Sequence, residues 1–288
     1  MQLSGHPRIS TGMAALRPRS MLFTLFGDYV YPRRDEIRLG SLVAIGGSLG
    51  ISEVAVRSAV ARLARESWIK GRRAGSRSFY SLSEAGRTLI AEGTRRIYRT
   101  NGRVWDGRWC LLTYTIPEAE RGTRDRLRKR LAWLGFGALG GGVYVAPRDV
   151  SADVRSLLST HNAARFARVF RAELGAGHSD SEIVKQCWDL AAIARAYGRF
   201  VRHYRARFAA DKRRRKAGTL VDRDAFATRF ALTHDFRRFP FIDPDLPKEL
   251  LPKDWAGARA RELFENYHAL LTVGALRFFA SATAASSG

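Results

Sequence analysis

Cysteine is scarce. Cys110 and Cys187 are the chain's two cysteines, too few and too far apart for a disulfide framework or a paired-thiol zinc site. Such usage suits a reducing cytoplasm, the expected location. Long apolar runs are missing too, since nothing approaches the roughly 18 uninterrupted residues of a membrane span. Residues 21–30 are apolar, but the stretch is short and Asp28 interrupts it. No leader with a small-residue cleavage site is recognisable, so a soluble protein is expected. Histidine is sparse, six in 288 residues, with no HExxH or paired spacing to suggest a metal site. Gly140-Gly141-Gly142 opens no helix and so is not a phosphate loop. Acids are outnumbered, 27 against 50 bases, for a net charge of +23. That excess points to a polyanionic partner, although an arginine-rich compositional bias would also raise it.

What is present is concentrated at residues 49–82, LGISEVAVRSAVARLARESWIKGRRAGSRSFYSL. Ser52 has the hydroxyl an N-cap needs, and Glu53 puts negative charge in the first turn. From there to about Glu66 the residues are helix formers, with Val56, Val60 and Leu63 on one apolar face. Arg57, Ser58, Arg62 and Arg65 fall elsewhere on the wheel. Upstream, Leu39, Leu42 and Val43 predict a short helix, and Gly46-Gly47-Ser48-Leu49-Gly50 a sharp turn. Downstream, residues 68–70 and 78–82 read as two ribbon strands flanking a tip with Arg72, Arg73 and Arg77. A helix end suits the major groove, and an arginine-rich ribbon suits phosphates or the minor groove. The expected DNA-contacting residues are therefore Ser52, Arg57, Ser58, Arg62, Arg65, Arg72, Arg73 and Arg77. RNA binding or protein binding by the same unit is the alternative.

In order, the chain predicts an α+β protein of three domains after a disordered arm at residues 1–18. Residues 19–100 make an N-terminal winged helix-turn-helix, with its first helix at 20–26, a break at Pro32, and a closing helix from Glu84 to about Tyr98. Thr100-Asn101-Gly102 marks the boundary. Residues 101–176 read strand, helix, strand, strand, helix, strand, the ferredoxin-like βαββαβ order, with strands at 109–116, 136–139, 142–146 and 165–174 and helices at 122–134 and 150–161. Residues 177–288 read as an all-helical C-terminal domain. Ile183, Cys187, Leu190, Ala194, Tyr197, Val201, Tyr204 and Phe208 predict one long helix, a core helix or part of a dimer seam. The basic run 212–216 reads as a solvated loop. Helices at 225–236 and 256–280 follow, the last with Leu263, Tyr267, Leu270 and Phe278 inward. Between them Pro240, Pro244, Pro247 and Pro252 fix an irregular segment. Caps and turns explain Asp243, Asp245 and Asp254 there better than a catalytic carboxylate set.

Three blocks carry a family resemblance: LGISEVAVRSAVARLARESWI at 49–69, VWDGRWCLLTYTIPEAERGTRDRLRKRLAWLGFG at 104–137, and DPDLPKELLPKDWAG at 243–257. In this order they resemble the PaaX-type transcriptional repressors of phenylacetic-acid catabolism. The resemblance implies a homodimer on a palindromic operator, released by an aryl- or acyl-coenzyme A thioester such as phenylacetyl-coenzyme A, with no enzymatic activity and no cofactor. Trp188, Tyr197, Arg199, Arg202 and His203 offer aromatic and cationic groups for that effector. The middle domain also resembles the small CRISPR-associated endonuclease of ferredoxin-like fold. That family holds a divalent metal through an aspartate after its first strand, where this chain has Thr115. A neutral hydroxyl does not supply the anionic oxygen that Mg²⁺ demands. The alternatives are a non-specific nucleic-acid-binding architectural protein and a nuclease-like ferredoxin-fold protein lacking its metal-binding Asp.

Overall fold

The computed structural model describes residues 16–33, 36–98 and 104–284. The expected arm falls outside these residues apart from 16–18, and so does the expected boundary at 100–102. Helix α1 (Pro18–Leu25) opens with proline, whose fixed φ suits a first helical position. A π-helical turn, Phe26–Val30, continues it. Strand β1 (Glu36–Arg38), α2 (Leu39–Ser48), α3 (Glu53–Arg65), β2 (Ile69–Ala74), β3 (Arg77–Leu82) and α4 (Glu84–Ile97) follow. Next come β4 (Trp109–Tyr114), α5 (Arg121–Trp133), β5 (Gly137–Gly140), β6 (Val143–Ala146), α6 (Ser151–Thr160), β7 (Ala167–Ala172) and α7 (Asp180–Cys187). Three helices complete the described residues: α8 (Leu190–Lys216), α9 (Asp222–Phe236) and α10 (Ala256–Ala284).

These elements form two compact units. The first takes the described residues up to Tyr98, then Gly198–Arg237, then those from Ala258 on. The second takes those up to Tyr197, with Arg238–Gly257. The helical residues from 177 on are thus shared between both units.

The first unit has an antiparallel sheet of order β1-β3-β2. Met21, Leu25, Phe26 and Tyr29 share one apolar cluster with Val56, Val60 and Leu63 of α3. Phe226 and Phe230 of α9 and Ala275 and Phe279 of α10 join the same cluster. Each fully buried aromatic stabilises the fold by roughly 1.5–3 kcal/mol. From Ala225 to Phe236, α9 is buried nearly all round, so its polar groups need partners. Arg229 bonds both carboxylate oxygens of Asp28 at 2.9 and 3.1 Å, and Thr233 adds a third bond at 3.3 Å. Asp235 accepts from the Tyr204 hydroxyl at 2.7 Å, and His234 meets Thr24 at 2.9 Å.

In the second unit one sheet, antiparallel throughout, has the order β5-β6-β4-β7. Cys110, Leu112 and Tyr114 of β4 pack with Leu127 and Leu131 of α5 and Val154 and Leu158 of α6. Trp109 and Val145 belong to a separate cluster with Val184 of α7 and Leu246. The proline-rich stretch is irregular, with short 3-10 turns at Phe239–Phe241 and Lys248–Leu250. Asp243 works as a turn residue, accepting the Asp245 amide at 2.8 Å and the Tyr197 hydroxyl at 2.6 Å.

Several sequence expectations need correction. Gly46, Gly47 and Ser48 are helical, and the chain turns at Leu49-Gly50, where Gly50 has φ +79. A side chain at Gly46 would put its Cβ 2.5 Å from Val56 Cγ2, so glycine there lets α2 approach α3. The long helix is interrupted at Trp188-Asp189, and residues 212–216 are its last turn, not a loop. On α10 the buried row is Phe264, Tyr267, Leu271, Ala275 and Phe279. Of the four residues expected inward, Leu263, Leu270 and Phe278 each give way to the next residue along, and Tyr267 stands.

Candidate nucleic-acid interface

The Ser52 hydroxyl caps α3 by accepting the Ala55 amide at 3.3 Å. Val56, Ala59, Val60 and Leu63 point inward. The opposite face is exposed and carries Val54, Arg57, Ser58, Arg62 and Arg65. Two of these arginines are steadied by carboxylates one turn away: Arg57 by Glu53 at 2.7 Å and Arg62 by Glu66 at 3.7 Å. Glu66 also pairs with Arg19 at 2.7 Å. No ion pair to Arg65 is found among the described residues. Val54 is 78% exposed beside Arg57's row. Sequence reasoning passed over it, since an apolar residue off the buried stripe looks accidental. On a groove-facing turn it offers a methyl contact to thymine.

The ribbon is longer than expected, with Ala74 paired to Arg77 across a two-residue turn, Gly75-Ser76. Gly75 has φ +59, the conformation hairpin loops reserve for glycine. Arg72 and Arg73 therefore sit in β2, not at the tip. Arg72 lies over the Phe79 ring at 4.7 Å and forks onto Glu36 of β1 at 2.6 and 3.1 Å. The Glu36 bond holds its guanidinium still more firmly protonated. Arg72 thus staples three strands. Arg73 and Arg77 are exposed at the outer end. All eight expected DNA-contacting residues lie on the surface of the first unit.

The expected effector residues divide between the two units. Trp188 and Tyr197 belong to the second unit, Arg199, Arg202 and His203 to the first. Tyr197 is buried, stacked on Phe239 at 3.9 Å with its hydroxyl bonded to Asp243, so it is a packing residue. Arg199 and Arg202 are exposed, and His203 is half-buried against Tyr204. Trp188 alone of the five lines a cavity of about 760 Å³ in the second unit, with Trp105, Leu190, Leu250, Leu251 and Pro252. Trp188 stacks on Trp109 at 6.3 Å, and burial pushes the neighbouring Cys187 thiol up to about 11. The charged lining is Asp180, Asp189 and Glu249 against Lys185.

Thr115 follows β4 directly, exposed, its amide bonded to the Phe166 carbonyl at 3.0 Å. Glu118 and Glu120 nearby are ion-paired, to Arg124 at 2.9 Å and Arg165 at 2.8 Å. No group of three His, Cys, Asp or Glu able to hold a metal is found among the described residues. No helix among them is long and apolar enough to cross a membrane.

Three family models match in succession: PaaX-like protein at residues 17–86, PaaX protein central Cas2-like domain at 102–184, and PaaX-like protein C-terminal domain at 188–281. Transcriptional repressor PaaX of Escherichia coli strain K12 is 36% identical over 263 residues, 90% of this chain and 82% of the relative. Among solved structures, the uncharacterized protein Rv0674 from Mycobacterium tuberculosis is similar with a TM-score of 0.59. The match covers 91% of this chain and 98% of that one at 24% identity, a likeness of fold alone.

Proposed function

This chain belongs to the PaaX family, and we propose that it is a cytoplasmic transcriptional repressor that reads a palindromic operator as a homodimer. The observation that carries this reading is α3, capped and buried along one face, with arginines on the other. Helix α2, the turn at Gly50, α3 and the β2-β3 ribbon act as a winged helix-turn-helix. Arg57, Ser58 and Val54 meet base edges, Ser52 and Arg62 meet bases or phosphates, and Arg65, Arg73 and Arg77 hold the backbone or the minor groove. Arg72 contributes mainly by fixing the ribbon. In the second unit, the antiparallel order β5-β6-β4-β7 with two helices supports a ferredoxin-like fold. The boundaries of the three matched models support a division into reading, central and C-terminal domains.

The effector is an aryl- or acyl-coenzyme A thioester, with phenylacetyl-coenzyme A the first to test. The tryptophan-lined cavity suits the aryl end. Its three carboxylates repel phosphates, so the nucleotide end stays outside it. Release requires that the ligand favour one state of the protein over the other.

The test is binding of the full-length protein to the promoter fragment of its own operon in excess competitor DNA, with and without phenylacetyl-coenzyme A. Retention on that fragment but not on a shuffled one, with release by the thioester, is expected. Equal affinity for both fragments would defeat the reading. Specific binding untouched by acyl-coenzyme A thioesters would remove its effector half.

A further inference from the structure

The outer face of α8 is a ridge of positive charge that the reading head does not account for. Within the first unit it carries Arg199, Arg202, Arg205, Lys212, Arg213 and Lys216, all exposed. At about 100° per residue, these six fall within an arc of about 140°. The opposite face holds the fully buried Phe200 and Tyr204. The ridge runs for about 26 Å, at about 1.5 Å per residue. The one acid of α8, Asp211, is buried and bonded to the Tyr267 hydroxyl at 2.5 Å. Among the described residues no carboxylate pairs with any of the six.

Such a face opposes its own helix. Arg199 and Arg202, Arg202 and Arg205, Lys212 and Lys216, and Arg213 and Lys216 are like-charge neighbours at spacings of three or four, each unfavourable. The C-terminal helix dipole favours the cations of the last turn, but Arg199, Arg202 and Arg205 lie mid-helix, beyond its reach. The residues between the cations are small: Gly198, Ala206 and Ala209. A helix lying in a membrane surface carries bulky apolar side chains beside its cations, and this ridge has none. A regular polyanion, about one charge per 1.7 Å of duplex axis, is the complement it fits.

We infer that α8 is a second nucleic-acid surface, one that grips the phosphate backbone of duplex DNA without regard to sequence. The inference rests on the reading of the chain as a DNA-binding repressor. It reassigns Arg199 and Arg202 from the effector to the nucleic acid.

The experiment compares wild type with the triple variants R199Q/R202Q/R205Q and K212Q/R213Q/K216Q, full length, folded by circular dichroism. Affinity is followed by fluorescence anisotropy between about 50 and 200 mM salt, on the promoter fragment and on a random duplex. Each triple variant is expected to flatten the plot of log affinity against log salt by about 2.7, three phosphate contacts at about 0.9 each. The loss should be the same on both duplexes, leaving their affinity ratio unchanged. R199K/R202K/R205K, which keeps the charge, should keep the wild-type slope. Wild-type slopes in both glutamine variants would overturn the inference. So would unchanged slopes together with lost binding to phosphatidylserine vesicles, which would assign the ridge to a membrane. A flattened slope in a protein with no preference for the promoter fragment would uphold the ridge and sink the operator reading instead.

Discussion

Asp28 interrupts an apolar stretch, and burying its charge alone would cost several kcal/mol. Its side chain is 9% exposed and that of Arg229 3%, with Arg229 also lying 4.8 Å from the Tyr29 ring centroid. Burial pushes the Asp28 carboxyl up, but His268, the Arg229 charge and the Thr233 hydroxyl outweigh it and hold it below its ordinary value. A depressed folded-state value means stabilisation that is complete above the unfolded carboxylate value of about 4. It is lost as pH falls through the folded value. Thermal melts from neutral to acid should therefore show a smaller loss in Asp28→Asn than in wild type, since Asp149, Glu182 and Asp222 are depressed too and remain. Arg229→Met strands the carboxylate and should cost about 3–5 kcal/mol in denaturant unfolding. Adding Asp28→Asn should recover part of it, and strictly additive losses would contradict the coupling.

At the scale of elements, α3 and the β2-β3 ribbon should answer mutation differently if the proposed roles hold. Arg57→Ala should relax base preference and cost about 1–3 kcal/mol on the preferred site. Arg73→Ala should weaken all sequences alike and lower the salt slope by about 1. Competition binding on matched and shuffled duplexes separates the two, and identical profiles would sink the assignment. Gly46→Ala should destabilise by about 1–3 kcal/mol through overpacking on the stiff, branched Val56, with relief from Val56→Ala, as read by denaturant midpoints.

Helix α3 was legible because its signals agree: a capping serine, an acid in the first turn, and valines and leucine at spacings of four and three. The strand-helix order of the second unit was legible because Gly and Pro punctuate it. Other features left no local trace. The three residues of β1 are too few for alternation to register, so the Glu36 that claims Arg72 stayed hidden. The break at Trp188-Asp189 is invisible because the apolar spacing runs on through it. The charged run 212–216 looked like loop only because charge was read as solvation; it contains neither Gly nor Pro. The row on α10 slipped by one because apolar residues adjoin at Leu263-Phe264, Leu270-Leu271 and Phe278-Phe279, and neighbours choose between them.

For the whole molecule, the shared core denies the N-terminal segment independence. Met21, Phe26 and Tyr29 lie in the cluster that Phe226, Phe230 and Phe279 complete. A fragment of residues 16–98 should therefore lack a cooperative unfolding transition and bind hydrophobic dye, whereas the intact chain melts sharply. A sharp melt from the fragment would show that the C-terminal helices are dispensable to it.

Asp28 meets Arg229 across 201 positions of sequence. At about 5–20 residues per second of synthesis, the nascent aspartate waits about 10–40 s for its arginine to emerge from the ribosome. Phe279 arrives later still. A polypeptide cut short before Phe279 therefore carries its arginines on an unfinished scaffold, so the cell's stock of working repressor counts only chains translated past that residue.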